Sequence, residues 1–256
     1  MPPAMPSADK KGEVDVAGSK IYYAIYGKGD PVILLHGGLG NADHFSNQVP
    51  QLAGKFQVIV IDSRGQGRST MSLSKTPLTY RAMADDVIGV MDALRIAKAS
   101  FVGWSDGGEI ALRIAVDHPE RVDRLFVFGA NYDAHGSKPR GSSNPPTFQA
   151  YAVKCKSDFM KMAKNPKMYD QVLDALLPVW RNPAGFTKDD LRSIKAPTMV
   201  ADGDHDEVIV LDQVAEMSQL IPNAKLKIFT NTSHFALWQD PKTFNQTVLD
   251  FLTAPL

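Results

Sequence analysis

Length, composition and charge exclude several classes of protein before any motif is considered. Of the 256 residues, 44% are hydrophobic, and 28 basic side chains balance 28 acidic ones. The zero net charge disfavours a nucleic-acid partner, and no apolar run approaches the ~18 residues of a membrane span. A single cysteine, Cys155, excludes an intramolecular disulfide and a cysteine-bound zinc cluster. We therefore expect a globular protein without a metal site, and the composition leaves its oligomeric state open.

The first twelve residues differ from the rest of the chain. Residues 1–12 are polar and rich in proline, and they lack the apolar stretch of a signal peptide. We expect a flexible N-terminal tail there. A cytoplasmic location is the default expectation, with export to the periplasm as the alternative if a signal peptide once preceded this sequence.

The next part of the chain predicts alternating strands and helices. Residues 13–16 and 20–26 alternate in polarity around Gly18, which is typical of a β-hairpin. Continuous apolar runs then predict buried parallel strands, at residues 32–35, 58–61, 101–102, 125–128, 198–201 and 226–229. Apolar residues at helical spacing lie between most of these runs and after the last of them. This order predicts an α/β fold with a doubly wound, mostly parallel sheet.

The alternation stops between residues 131 and 194. A loop-like run at 135–146 precedes apolar residues at helical spacing, among them Phe148, Tyr151 and Trp180, and no strand pattern interrupts them. A loop of this length inside a compact domain is usually functional or disordered. We therefore expect 131–194 to form a small helical cap inserted after the sixth strand, between core segments 13–130 and 195–256. Two ordinary crossover helices joined by a long loop are the alternative.

A glycine–serine motif follows the strand predicted at residues 101–102. Gly103 and Gly107 flank Ser105 in the pattern G-x-S-x-G, directly before a predicted helix. A sharp strand-to-helix turn holds its central residue in a strained conformation and exposes its hydroxyl, and the glycines give the clearance. The motif predicts that Ser105 is a nucleophile.

A second glycine-rich turn follows the strand at 32–35. We expect the backbone N–H groups of Gly38 and Asp106 to form an oxyanion hole, with Leu39 as the fallback for the first donor. Asp106 opens the helix behind Ser105, where free N–H groups favour negative charge. A simple tight turn is the alternative for residues 36–40.

An acid and a base follow two later strands. Asp206 comes after the strand at 198–201, and His234 comes after the strand at 226–229. A serine hydroxyl becomes a good nucleophile only when an imidazole takes its proton and a carboxylate fixes that imidazole. Ser105, Asp206 and His234 are therefore the predicted catalytic triad, in the chain order typical of an α/β-hydrolase.

Other acids and histidines compete for these roles. Asp202 lies at the strand end and Asp204 lies early in the loop, so both fit less well than Asp206. The remaining histidines are better explained otherwise: His36 as a structural residue of its turn, His118 as a charge at a helix end, His205 as pointing elsewhere, and His44 and His135 as lacking a preceding strand.

From about residue 18 to residue 252 the chain resembles the α/β-hydrolase superfamily. Residues 62–69 match the D-x-R-G-x-G-x-S turn of that family, and residues 103–108 with the later 129–131 resemble its valacyclovir hydrolase-like and enol-lactone hydrolase-like members. The resemblance implies hydrolysis through an acyl-enzyme without a cofactor. Ser105 excludes the branches that use an aspartate nucleophile.

The expected activity is therefore that of a serine hydrolase acting on an ester or lactone of a small molecule. Since Asp106 adjoins the nucleophile, α-amino-acid esters are a narrower hypothesis, with a helix-capping role for Asp106 as the alternative. A non-hydrolytic ligand-binding protein of the same fold, a hydroxynitrile lyase and a carbon–carbon hydrolase remain open. Candidate substrate contacts besides Asp106 are Trp104, Phe148, Trp180 and Trp238.

Overall fold

The computed structural model describes residues 2–72, 78–138, 145–181 and 185–255. Over these residues one eight-stranded sheet has the order β1-β2-β4-β3-β5-β6-β7-β8. Its strands are β1 (Lys10–Val16), β2 (Ser19–Tyr26), β3 (Pro31–Leu35), β4 (Gln57–Ile61), β5 (Ala99–Trp104), β6 (Val122–Phe128), β7 (Thr198–Gly203) and β8 (Ala224–Phe229). Strands β3 to β8 are parallel, whereas β2 is antiparallel to both β1 and β4. The expected α/β fold with a mostly parallel sheet is confirmed.

Helices cover both faces of the sheet. They are α1 (Val49–Leu52), α2 (Tyr80–Ala93), α3 (Asp106–Asp117), α4 (Pro146–Met162), α5 (Tyr169–Arg181), α6 (Lys188–Ser193), α7 (Leu211–Leu220), α8 (Ala236–Gln239) and α9 (Pro241–Thr253). Within β3, Ile33 and Leu35 pack into one hydrophobic cluster, while Val32 and Leu34 pack into the other. Burial on both faces is the reason that these strands read as continuous apolar runs.

The hairpin has the predicted tight turn but a longer first strand. Ala17 (φ 50°) and Gly18 (φ 78°) are both in the left-handed region that a two-residue hairpin requires. Strand β1 begins at Lys10 rather than at residue 13, so residues 10–12 belong to the sheet and not to a flexible tail. In the β1–β2 ladder Lys10 pairs with Ile25. Backbone hydrogen bonds hold an edge strand together without alternating apolar side chains, so the alternation used to predict the hairpin did not extend to residues 10–12.

The described part of residues 131–194 contains helices joined by turns and no strand of the main sheet. Helices α4 and α5 follow β6, and α6 leads into β7, while Ser137 forms an isolated bridge with Ile209. Residues 139–144 of the predicted loop lie outside the described residues, as do 182–184. Along the described ranges, none of the helices combines the length and the apolar character needed to cross a bilayer.

Candidate active site

Ser105 lies at a strained turn between β5 and α3. Its backbone has φ 55° and ψ −125°, a conformation that is costly for a residue with a side chain. A Cβ at Gly103 would lie 2.3 Å from the Gly107 carbonyl oxygen, and a Cβ at Gly107 would lie 2.0 Å from that of Leu35. Both positions therefore require glycine, which explains the sequence pattern on either side of Ser105.

Asp206 and His234 come together beyond the ends of β7 and β8. His234 Nδ1 lies 2.6 Å from Asp206 Oδ2, and the other carboxylate oxygen accepts the N–H groups of Val208 and Ile209 at 2.6 and 2.8 Å. Both side chains are buried. The carboxylate is thus fixed by the backbone on one side and by the imidazole on the other.

This pairing shifts both acid–base equilibria. Burial alone would raise the pKa of Asp206, but the charge and hydrogen bond of His234 bring it to about 2. Burial alone would lower the pKa of His234, but the charge and hydrogen bond of Asp206, supported by the charges of Glu207 and Asp106, raise it above 6.5. The imidazole therefore sits beside an ionised carboxylate that stabilises its protonated form.

The end of strand β6 lies next to both Ser105 and the His234 imidazole. The Ser105 N–H donates to Phe128 O at 2.9 Å, and a Cβ on the next residue, Gly129, would lie 3.0 Å from the His234 ring. The indole of Trp104 donates to His234 O at 2.9 Å. Among the described residues, Ser105 Oγ has no hydrogen bond to the imidazole, a contact that often tightens only when substrate binds.

The competing acids and histidines have other partners. Asp204 accepts the N–H groups of Asn231 and Thr232, and its Oδ1 lies 2.6 Å from His205 Nδ1. Asp202 accepts the Gly203 N–H, and burial together with the neighbouring charge of Asp206 raises its pKa well above its usual range. These contacts leave Asp206 as the carboxylate that contacts the His234 imidazole, while the Glu207 carboxylate accepts the backbone N–H of His234 at 3.1 Å.

The glycine-rich turn after β3 is held by His36. His36 Nε2 accepts the Ser63 N–H at 2.9 Å, so Nδ1 carries the proton and donates to Gly37 O at 2.8 Å. The Gly40 N–H donates to the same carbonyl at 3.0 Å. Burial lowers the pKa of His36 to about 3, which keeps this imidazole neutral. A Cβ at Gly37 would lie 3.2 Å from Ser105 Cβ, so the turn passes directly beside Ser105.

The Asp106 carboxylate lies next to Gly38. A Cβ at Gly38 would be 2.6 Å from Asp106 Oδ2. Tyr80 Oη donates to Asp106 Oδ1 at 3.2 Å, and Trp180 Nε1 donates to both oxygens at 3.1 and 3.0 Å. Burial and the charge of Asp106 raise the pKa of Glu109 well above its usual range. The Asp106 carboxylate therefore lies beside the turn, with the Tyr80 phenol and the Trp180 indole among its donors.

The other candidate substrate-contacting side chains differ in which neighbours they touch. Trp180 on α5 reaches Gly38, where a Cβ would lie 2.7 Å from its ring. Trp104 is 1% exposed, and its indole packs against the rings of Tyr151 and Trp238 at 5.5 and 5.3 Å. Phe148 is partly buried against Tyr151 at 5.9 Å. Trp180 therefore lies against both Gly38 and the Asp106 carboxylate.

Sequence reasoning missed a second polar cluster behind the turn. Asp158 on α4 lies 3.3 Å from His44 Nε2 and accepts from Asn41 Nδ2 at 3.3 Å. Tyr151 Oη, two turns earlier on α4, donates to Gly38 O at 2.7 Å. The signal in the sequence that could have revealed this cluster is the spacing of Tyr151 and Asp158, because a helix places residues seven positions apart on one face.

Comparison with known proteins defines the class of the chain. A family model of the alpha/beta hydrolase fold matches residues 30–148. The 2-hydroxy-6-oxo-6-phenylhexa-2,4-dienoate hydrolase of Burkholderia cepacia is 30% identical over an alignment of 276 positions, gaps included. The alignment covers 94% of this chain and 93% of the relative. The chain belongs to the α/β-hydrolase family.

Solved structures agree with this assignment and extend it. An enzyme that degrades N-acyl homoserine lactones is 30% identical, has a TM-score of 0.72, and is matched over 94% of this chain and 100% of its own. The enol-lactonase of Burkholderia xenovorans LB400 is 25% identical with a TM-score of 0.75, and 94% and 100% of the two chains are covered. The chain is therefore a hydrolase, and the proteins similar to it are named for different substrates.

Proposed function

We propose that this hydrolase cleaves a carboxylic ester or lactone bond of a small molecule through an acyl-enzyme, without a cofactor. The observation that carries the proposal is the 2.6 Å contact between His234 and Asp206, close to the strained Ser105. In this proposal residues 131–194 form a cap over a core of residues 13–130 and 195–256. The partner is a small molecule rather than a nucleic acid.

In the acylation step Ser105 Oγ attacks the carbonyl carbon. His234 Nε2 accepts the hydroxyl proton while Asp206 holds the opposite ring nitrogen and stabilises the imidazolium. The carbonyl oxygen becomes an oxyanion that the N–H groups of Gly38 and Asp106 stabilise, with Leu39 as the fallback for Gly38. Each such donor contributes roughly 2.7–4 kcal/mol to the transition state.

His234 then completes the turnover. The imidazolium donates its proton to the departing alkoxide, which leaves an acyl ester on Ser105. Water is deprotonated by the neutral His234 and attacks this ester, and collapse of the second tetrahedral intermediate returns the proton to Ser105. In a lactone the departing alkoxide stays attached to the acyl group, so a hydroxy acid is released.

We infer that an ionised Asp106 carboxylate next to Gly38 selects among substrates. A carbonyl bound at the amides of Gly38 and Asp106 brings its acyl group near the Asp106 carboxylate, which lies beside Gly38. A neutral acyl group is compatible with this charge, and an ammonium group is attracted by it. A substrate carboxylate is repelled, because two like charges in a poorly solvated site destabilise each other.

Hydrolysis of a carbon–carbon bond is the second candidate. The relative from Burkholderia cepacia is named for its action on a dienoate, and it is 30% identical over most of both chains. In that substrate the 6-oxo carbonyl carries the phenyl group and the carboxylate lies on the departing fragment, so the position of Asp106 does not decide between the two reactions and a substrate panel does.

A substrate panel tests the choice between these reactions. The panel contains p-nitrophenyl butyrate, an N-acyl homoserine lactone, the p-nitrophenyl monoester of glutaric acid, and an L-valine ester with its desamino analogue. It also contains 2-hydroxy-6-oxo-6-phenylhexa-2,4-dienoate, for which the Burkholderia cepacia relative is named. We expect turnover of the neutral ester and lactone, a lower kcat/KM for the anionic glutarate ester, and no cleavage of the dienoate.

The variant Asp106→Asn is the matched control, because it removes the charge and keeps an oxygen acceptor for Trp180. It should raise kcat/KM for the glutarate ester relative to the butyrate. Equal hydrolysis of the valine ester and its desamino analogue by both proteins would remove the α-amino-acid hypothesis. Cleavage of the dienoate in preference to every ester and lactone would contradict the proposal.

A further inference from the structure

The carbonyl groups of the turn after β3 fix the direction of its N–H groups. In a trans peptide the C=O of one residue and the N–H of the next lie in one plane and point in opposite directions. The Gly37 carbonyl, held by His36 and Gly40, therefore fixes the N–H of Gly38. By the same geometry, whatever holds the Gly38 carbonyl fixes the N–H of Leu39.

Tyr151 holds the Gly38 carbonyl. Its phenol donates at 2.7 Å, and the side chain is 6% exposed, so water does not readily replace this hydrogen bond. Burial raises the pKa of Tyr151 well above its usual range, which keeps the phenol protonated as a donor. Tyr151 belongs to α4, 113 residues beyond the turn in the chain.

The same tyrosine is packed against neighbours of both the proposed nucleophile and the proposed base. Its ring centroid lies 5.5 Å from that of Trp104, which precedes Ser105, and 5.2 Å from that of Phe235, which follows His234. Aromatic contacts at these distances restrict the ring. The phenol oxygen is therefore positioned by the segments that carry Ser105 and His234.

A second contact ties α4 to the end of the turn. Asp158, two helical turns after Tyr151, accepts from Asn41 Nδ2 and lies 3.3 Å from His44 Nε2. Its carboxylate also accepts from Lys154 Nζ at 2.7 Å. One face of α4 thus holds both ends of the segment from Gly38 to His44.

We propose that Tyr151 is a positioning residue for the oxyanion hole: its phenol holds the Gly38 carbonyl, which fixes the Leu39 amide directly and restrains the Gly38 residue whose own N–H the Gly37 carbonyl fixes, and this contact couples α4 to catalysis. The inference rests on the proposed function. Without the phenol the Gly38 carbonyl loses its buried partner, the turn samples other peptide orientations, and the amides are less well aimed at the oxyanion. The ground-state substrate is bound as before, because its carbonyl needs this alignment less.

The test uses Tyr151→Phe with Tyr132→Phe as the matched control. Tyr132 is also buried, and its phenol donates a hydrogen bond of 2.7 Å to Glu216 rather than to the turn. With p-nitrophenyl butyrate we expect Tyr151→Phe to lower kcat about 10-fold, because this is the effect of losing one well-placed hydrogen bond in the transition state. We expect KM to change less than about 2-fold. Binding of a trifluoromethyl ketone, which forms an oxyanion adduct on serine, should weaken by a similar factor. Tyr132→Phe should leave both unchanged.

A third readout separates this inference from the proposed function. Amide hydrogen exchange in residues 37–44 should accelerate in Tyr151→Phe and not in Tyr132→Phe, whether or not the protein hydrolyses esters. Unchanged exchange in Tyr151→Phe overturns the inference, and so does a raised KM at constant kcat or an equal loss of kcat in both variants. An inactive wild type with accelerated exchange in Tyr151→Phe supports the positioning of the turn and contradicts the proposed function alone.

Discussion

Two histidine–aspartate pairs with a buried imidazole lie within the described residues, and only one is suited to act as a base. His234 Nδ1 lies 2.6 Å from Asp206, whereas His44 Nε2 lies 3.3 Å from Asp158. Both imidazoles are buried, at 3% and 1% exposure. Yet the pKa of His234 is raised above 6.5 and that of His44 is lowered.

The difference arises from how each carboxylate is shared. Asp206 directs one oxygen to His234 and accepts two backbone N–H groups on the other, so its negative charge acts mainly on the imidazole. Burial lowers the pKa of His44, and Asp158 does not compensate, because its carboxylate also binds the Lys154 cation. In this molecule the Asp206 carboxylate thus favours the protonated form of His234, whereas the Asp158 carboxylate is shared between His44 and a cation.

The largest expected effect distinguishes the two imidazoles directly. His234→Gln should lower kcat for p-nitrophenyl butyrate by about 10⁴-fold or more, since Ser105 then lacks its base. His44→Gln should lower kcat less than about 10-fold. The thermal unfolding midpoint of each variant shows whether it is folded. Comparable losses of kcat in the two folded variants would break the distinction.

The pH profile gives an intermediate effect. His234 accepts a proton only when neutral, and its pKa is raised, so kcat/KM should fall as the pH drops through a value above 6.5. Asp206→Asn removes the charge that raises this pKa and should move the acid limb to lower pH, along with a loss of rate. Asp158→Asn should leave the limb in place. A wild-type profile that is flat down to pH 4 would exclude His234 as the base.

The smallest expected effect is on stability. The pKa of His44 is lower in the folded state than its ordinary 6.5, so the unfolded chain takes up the proton first and stability is lost as the pH falls below 6.5. His44→Gln removes this loss. Between pH 7 and pH 5 its free energy of unfolding, measured in urea, should decline less steeply than that of wild type, by at most about 1.4 kcal/mol per pH unit. Parallel declines would show that His44 is not buried as a neutral imidazole.

Local sequence signals were sufficient for the fold and for the proposed triad. The glycines at 103 and 107 predict the strained turn, because a Cβ at either position would clash with a backbone carbonyl. Asp206 and His234 each follow a strand, and parallel strands bring their carboxyl ends to one edge of the sheet. Such short-range patterns reflect the physical demands of one turn or one strand.

The second pair and the Tyr151 contact could not be predicted in this way. His44 has no strand directly before it and lies in a short turn at Ala42–Phe45, while its partner Asp158 is 114 residues away on α4. No helical or strand periodicity encodes where a helix far along the chain, such as α4, docks. The extension of β1 to Lys10 was missed for a related reason, since backbone pairing at a sheet edge leaves no mark in the side-chain pattern.

Covalent labelling of Ser105 tests the central claim most directly. After reaction with a fluorophosphonate, intact-protein and peptide mass spectrometry should find one adduct, on the peptide that contains Ser105. Labelling should disappear in Ser105→Ala, slow strongly in His234→Gln and proceed at nearly the wild-type rate in His44→Gln. An unlabelled wild type, an adduct on another residue, or equally slow labelling in both histidine variants would contradict the account.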